Sequence, residues 1–515
     1  MNCTPAIPLP PVQFTGKPMQ TIAGKSPKKS YDEILRSTFI MGASSVITSL
    51  LGILRIKVLA LLIGPAGVGL MGIYLSTANL LTAISGMGVD ESGVRQIASD
   101  NSRRKIAATV FSIRRAAVTF GAAGLCFLLI FRHRVSLWTF GNGDHAYDLA
   151  LMSLTVLFGT VSGGQIALIQ GMRRIGDLAR INILGALWGT MLGIPIIYIL
   201  ENRGIAIFLL VASGAYLLTC WWYARKIDIP RIAVSWRSSL AEAGPLLRLG
   251  FAFMIASLMS LGTIYILRVL VLHHQGMAAT GIYQAAATLS SIYVAVILRA
   301  MFTDFYPRLT AAAGDRLRFS KLVNEQIEVG ILLAVPGILA TMTAAPLVIV
   351  AFYSSEFMLS VDILRWQILG VFLQVISWPM GFMLRAKGDR KLFLWSESFG
   401  NAVHLGFAWA GITWFGLSGV GMAFLAMNVS YGLVIFLIVH RHYGFAFSSK
   451  NLRFMAIFGG TAGAVFLTPY PFPQNHLTIN VVLTITAGMY CLKSLISSTG
   501  TLPVILLKLK SRYTC

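Results

Sequence analysis

Fourteen stretches of this chain are apolar over about the 20 residues that an α-helix needs to cross a bilayer, and no other feature limits its fold so strongly. Their cores fall at 37–63, 70–88, 110–131, 149–170, 181–200, 204–223, 249–272, 280–302, 324–352, 361–384, 392–413, 417–440, 454–469 and 477–497. Backbone in hydrocarbon must satisfy its own hydrogen bonds, so such a succession predicts an all-α polytopic bundle. The composition agrees: 56% of residues are hydrophobic, 12% are charged and the mean hydropathy is +0.73, which excludes soluble multidomain, disordered and collagen-like classes. With so little charged surface, the net charge of +23 does not describe a nucleic-acid binder. The stretch 454–469 is short and leaves through Pro469-Tyr470-Pro471-Phe472-Pro473, which also fits a re-entrant segment, so the reading is 12 to 14 spans.

The basic residues orient the bundle. With the N-terminus in the cytoplasm, 32 of the 42 Lys and Arg fall on that side, and Arg132, Arg134 and Arg203 are the three on the other. This bias predicts an even number of spans, both termini cytoplasmic and a surface that meets anionic lipids. Residues 1–33 carry no apolar signal segment and read as a disordered cytoplasmic tail. The five cysteines show neither disulfide nor metal spacing, and no cofactor motif survives scrutiny. Gly67-Val68-Gly69-Leu70-Met71-Gly72 fits G-x-G-x-x-G, but it lies on a turn between two spans, where it reads as helix-packing glycine rather than a nucleotide loop.

The chain also repeats itself. Leu54-Arg55 matches Leu267-Arg268, Gly72-Ile73-Tyr74 matches Gly281-Ile282-Tyr283, Arg173-Arg174-Ile175-Gly176-Asp177 matches Arg385-Ala386-Lys387-Gly388-Asp389, and Gly204 matches Gly416. The near-constant offset of 209–213 residues pairs spans 1–6 with spans 7–12. An even repeat keeps its orientation, so the expected architecture is two pseudo-symmetric six-helix lobes around a central cavity. The N-lobe is 34–223, a cytoplasmic linker 224–247, the C-lobe 248–441, and 442–515 holds an accessory helix pair and a tail.

Polar residues inside spans are the candidate site. Ser44, Thr48 and Arg55 share one stripe of span 1, with Ser257, Ser260 and Arg268 at like spacing in span 7. Thr288, Ser291 and Arg299 share a stripe in span 8. A guanidinium in hydrocarbon is costly unless it is solvated or paired, so Arg55, Arg268 and Arg299 are expected to face the cavity and bind an anion such as a pyrophosphate. Snorkelling and a structural ion pair are the competing explanation. Among acids, Glu397 falls within a span, as a coupling site or as the structural partner of an arginine. Asp90 and Glu91 end span 2. A cation-coupled multidrug exporter of the same architecture remains the alternative, and it would place carboxylates rather than arginines in the cavity. A membrane enzyme would need a large loop on the non-cytoplasmic face, where the longest, about 132–148, is short.

The run from Ile56 through Gly64-Pro65-Ala66-Gly67-Val68-Gly69-Leu70, then Gly86-Met87-Gly88-Val89-Asp90-Glu91-Ser92-Gly93-Val94-Arg95-Gln96-Ile97-Ala98, resembles the O-antigen translocases. These form the polysaccharide-transporter branch of the multidrug/oligosaccharidyl-lipid/polysaccharide exporter superfamily. The resemblance covers roughly residues 34–440 and is most specific in spans 1 and 2; the long N-terminal tail and the last helix pair depart from it. It implies a flippase of the bacterial inner membrane, not an enzyme, that moves an undecaprenyl-diphosphate-linked O-antigen or exopolysaccharide unit to the periplasmic leaflet. Partners implied are that lipid-linked glycan and a polysaccharide polymerase or chain-length machinery.

Overall fold

The computed structural model describes residues 27–499 except 101, 231–235, 470 and 473. At 27–40 and 293–304, and at scattered positions between 42 and 46, 236 and 252 and at 307 and 498–499, it describes the helix path without side chains. Among the described residues there is no strand. The helices are α1 (Pro27–Gly86), α2 (Val89–Ser99), α3 (Arg103–Phe140), α4 (Ala146–Gly171), α5 (Ile175–Leu200), α6 (Gly204–Arg225), α7 (Trp236–Ala311), α8 (Arg316–Thr343), α9 (Ala345–Phe352), α10 (Ser360–Lys387), α11 (Arg390–Tyr443), α12 (Ser449–Leu467) and α13 (His476–Thr499).

Every expected span lies on these helices, several of which carry two. α1 turns at Gly64 (φ 60°), α7 at Gly276 (φ 84°) and α11 at Gly416 (φ 60°). A left-handed glycine ends one helix without a Cβ clash, and Pro65, which has no N–H to leave unpaired, opens the next. Contacts confirm the reversal in α1: Ser44 and Asp90 reach Ala179 and Gly163 at one end, while Gly67 and Tyr74 meet Asn202 and Asp148 at the other. These are called the Gly88 end and the Gly64 end below. The expected span 324–352 is broken at Ala344 into α8 and α9, with Pro346 in the first turn of α9, where its missing N–H leaves no bond unmade. α1 begins at Pro27, within the segment expected as a disordered tail, and α7 begins at Trp236, within the 224–247 linker segment. Residues 1–26 of the expected tail and 500–515 lie outside the described residues.

Helices α1–α6 pack on one another, α7–α11 on one another, and the two lobes meet along α1 and α7. α12 and α13 pack on the outside of α8, and α12 also touches α10. Arg365 of α10 donates to the carbonyls of Val465 and Phe466 at 3.1 and 2.7 Å and so pins the end of α12.

Candidate functional site

At the Gly64 end the lobes are in backbone contact. The Pro65 carbonyl lies where a β-carbon of Gly281 would stand, and the Met277 carbonyl lies where one of Gly69 would stand. Glycine at both positions lets the helices cross, as the packing reading of the 67–72 run requires. Polar contacts reinforce the crossing. Arg268 Nη1 donates to the Gly72 carbonyl at 3.0 Å. Lys57 Nζ donates to the carbonyls of Val350 and Tyr353 at the C-terminal end of α9, where a cation also meets the negative end of the helix dipole. Thr139 Oγ1 and Tyr265 Oη lie 2.6 Å apart, and His273 Nε2 is 3.0 Å from the Thr139 carbonyl oxygen.

At the Gly88 end α2 packs on α7, and Gly88 (φ 63°) meets Gly250 backbone to backbone. Behind it lie two adjoining cavities of about 250 and 420 Å³. The smaller is walled by Asn79, Thr82, Asp90, Gly159 and Gly163, the larger by Phe253, Ser260, Arg385, Phe393 and Glu397. Glu91, Ser257 and Leu261 line both. Glu397 accepts a hydrogen bond from Tyr431 Oη at 3.2 Å. Partial burial, and then the charge of Asp90, push the Glu91 carboxyl above its ordinary value.

The structure separates the expected site residues. Ser257 and Ser260 line the larger cavity together with Glu397. Ser44 donates instead to the Ala179 carbonyl at 3.0 Å and ties α1 to α5, while Thr48 donates to the Ser44 carbonyl at 2.7 Å. Thr288 accepts from Gln284 at 2.9 Å and Ser291 donates to the Thr288 carbonyl at 2.8 Å. Arg55 lies against α5, its Nη1 only 2.5 Å from where a Gly189 β-carbon would be, and Arg268 is turned to Gly72. Neither is among the residues lining the two cavities. The side chain of Arg299 lies outside the described residues.

The charges lining these two cavities are Asp90, Glu91 and Glu397 against Arg385. Arg385 lies at the end of a span, among the basic residues that orient the bundle, so its place in a cavity wall is not legible from charge counting. The repeat match of Arg173 with Arg385 was the available signal for Arg385. Lys57 had none, because α9 is remote in sequence. Arg268 Nε and Gln284 Oε1 are buried without a hydrogen-bond partner among the described residues, and both side chains approach Gly72.

Two like helical lobes that meet over a polar cavity make a membrane-protein fold shared by multidrug exporters and lipid flippases. The fold is that of lipid II flippase MurJ in its inward closed conformation, with a TM-score of 0.69 over 89% of this chain and 99% of that one at 14% identity. It is also that of an inward-facing multidrug resistance MATE family transporter of the MOP superfamily, with a TM-score of 0.63 over 78% and 94% at 16% identity. Residues 58–362 match the family described as polysaccharide biosynthesis protein, and the chain belongs to that family. It is 24% identical over 420 residues to the lipid III flippase of Escherichia coli strain K12, spanning 77% of this chain and 96% of that protein. It is likewise 24% identical over 319 residues to the succinoglycan biosynthesis transport protein ExoT of Rhizobium meliloti strain 1021, spanning 61% and 60%.

Proposed function

We propose that this protein flips a lipid-linked oligosaccharide, an undecaprenyl-diphosphate-linked O-antigen or exopolysaccharide unit, from the cytoplasmic to the periplasmic leaflet of the bacterial inner membrane. It acts as a transporter and not as an enzyme. The observation that carries this reading is the lobe interface: hydrogen bonds between the lobes close the Gly64 end, while polar cavities lie behind the Gly88–Gly250 contact at the other. The likeness to the lipid III flippase and to ExoT supports the substrate class. The 32-to-3 bias of basic residues supports a cytoplasmic Gly88 end and cytoplasmic termini. α3 runs to Phe140 and α4 starts at Ala146, which leaves little loop there for a catalytic site.

In this reading the lobes are 34–223 and 248–441, joined by 224–247, with 442–515 as an accessory pair that contacts a polymerase or chain-length partner. They rock about the cavity in alternating access. The sugars enter beside Ser257 and Ser260. Arg55, Arg268 and Arg299 engage the diphosphate when the lobes part, and Arg268 then exchanges the Gly72 carbonyl for a phosphate oxygen. Ser44, Thr48, Thr288 and Ser291 line the deeper path, and anionic lipids meet the basic loops.

Complementation of a flippase-null strain tests this. Wild type restores surface glycan, and Arg55→Ala, Arg268→Ala and Arg299→Ala, expressed at normal levels, do not. If all three restore it, the diphosphate role of these residues is wrong. One observation favours the second reading, a cation-coupled multidrug exporter: Asp90, Glu91 and Glu397 line the cavities. That reading wins if wild type confers dye efflux without restoring glycan.

A further inference from the structure

We infer that Arg385 is the residue on which the diphosphate of a prenyl-linked sugar first docks, in a loading site between α7 and the start of α11. The inference rests on the flippase reading and adds the place of entry to it. Arg385 belongs to the last turn of α10, is exposed, and is the one basic residue lining the larger cavity. Its guanidinium carbon sits 4.4 Å from the ring centre of Phe393 and 5.0 Å from that of Phe382. Both rings lie within cation–π range of the guanidinium, whose N–H groups can still donate to an acceptor.

No carboxylate of the described residues takes those N–H groups. Glu397 lines the same cavity, yet it accepts from Tyr431 instead of pairing with Arg385. An arginine held in orientation but left without an ion-pair partner suits a bidentate anion, and a phosphate matches the guanidinium fork. The rest of the wall fits the two ends of such a molecule. Ser257 and Ser260 offer hydroxyls to a sugar, and Phe253, Phe393 and Leu394 offer apolar surface to the first prenyl units. Glu91 and Glu397 repel an anion elsewhere in the cavity, so they narrow its position to Arg385. Arg173, the repeat counterpart, is exposed and lines neither cavity, so the loading site belongs to the C-lobe.

The test is binding of farnesyl diphosphate to the full-length protein in lipid nanodiscs, with phosphatidylglycerol and inorganic pyrophosphate as competitors. Wild type binds the probe, and Arg385→Ala weakens binding about tenfold or more, as the loss of a charge-assisted phosphate contact requires. Arg385→Lys recovers part of it, since it restores charge without the fork. Phe393→Leu, which removes the orienting ring, weakens it several-fold.

Unchanged affinity in Arg385→Ala, with the melting temperature retained, overturns the assignment while the flippase reading stands. Displacement by phosphatidylglycerol at equal potency also overturns it, because the site would then hold bulk lipid headgroups. Pyrophosphate as potent as the prenyl compound overturns it as a simple anion contact. A wild type that does not bind farnesyl diphosphate at all removes both the loading site and the substrate class on which it rests.

Discussion

The carbonyl of Gly250 stands where a β-carbon of Gly88 would be, and a β-carbon on Gly250 would come within 2.8 Å of the Gly88 carbonyl oxygen. Gly88 also lines the smaller cavity at that end of the lobes. The contact joins the end of the N-lobe span pair to the first helix of the C-lobe without a side chain between them.

Gly250→Val should therefore hold that end open. Overpacking a close contact costs about 1–3 kcal/mol, a roughly 5- to 150-fold shift away from the closed form. The readout is labelling of Ser257→Cys by a membrane-impermeant thiol reagent applied from the cytoplasmic face, in a background without the native cysteines. Labelling rises in the Gly250→Val protein and transport falls. Equal labelling with and without Gly250→Val would show that the glycine contact does not cover the cavity.

Lys57 holds the opposite end, through the C-terminal carbonyls of α9. Lys57→Met keeps the apolar stem and removes the donor, with a loss of about 1–2 kcal/mol of lobe-to-lobe stabilisation. The expected outcome is greater exposure of a cysteine placed at Thr139 to a periplasmic thiol reagent. A Lys57→Met protein as protected as wild type would mean that the glycine crossing alone keeps this end shut.

Arg55 and Gly189 should be energetically coupled, because the missing side chain of Gly189 makes the room into which the guanidinium fits. Gly189→Ala is tolerated, since the tip of a flexible arginine can move aside. Gly189→Leu displaces it. In a double-mutant cycle on glycan transport, Gly189→Leu adds little once Arg55→Ala is present, with an interaction of about 0.5–3 kcal/mol. Strict additivity would show that the two residues act independently.

Glu91 has its pKa raised by partial burial and then by Asp90. Folding thus disfavours its ionised form, so stability is greatest below the ordinary glutamate range and declines as pH rises toward the higher folded value. Glu91→Gln should raise the melting temperature at neutral pH and flatten that decline. The check is thermal unfolding of both proteins across the acidic range, and parallel curves would contradict it.

Much of the architecture was legible because hydrocarbon restricts the options. Runs of apolar residues have to be helices, and the repeat of Gly72-Ile73-Tyr74 as Gly281-Ile282-Tyr283 marks corresponding helices in the two lobes. The reversals at Gly64 and Gly276 follow the same logic, since the left-handed backbone there favours glycine. The candidate site was less legible. Ser257 and Ser260 were read from spacing and do line the larger cavity, but equal spacing could not say that Ser44 would be taken up by Ala179 or Arg268 by Gly72.

By itself the sequence determined that this chain is a helical membrane protein with an internal repeat, because hydrophobic length and glycine and proline placement act over a few turns of one helix. Which polar groups meet was decided only in the tertiary structure. Arg385 faces Glu397 across a cavity, and Lys57 caps a helix almost 300 residues away, through partners supplied by other helices. A stripe on a helix states which residues share a face. The packing of the neighbouring helix decides whether that face is buried against a carbonyl or left open to a ligand.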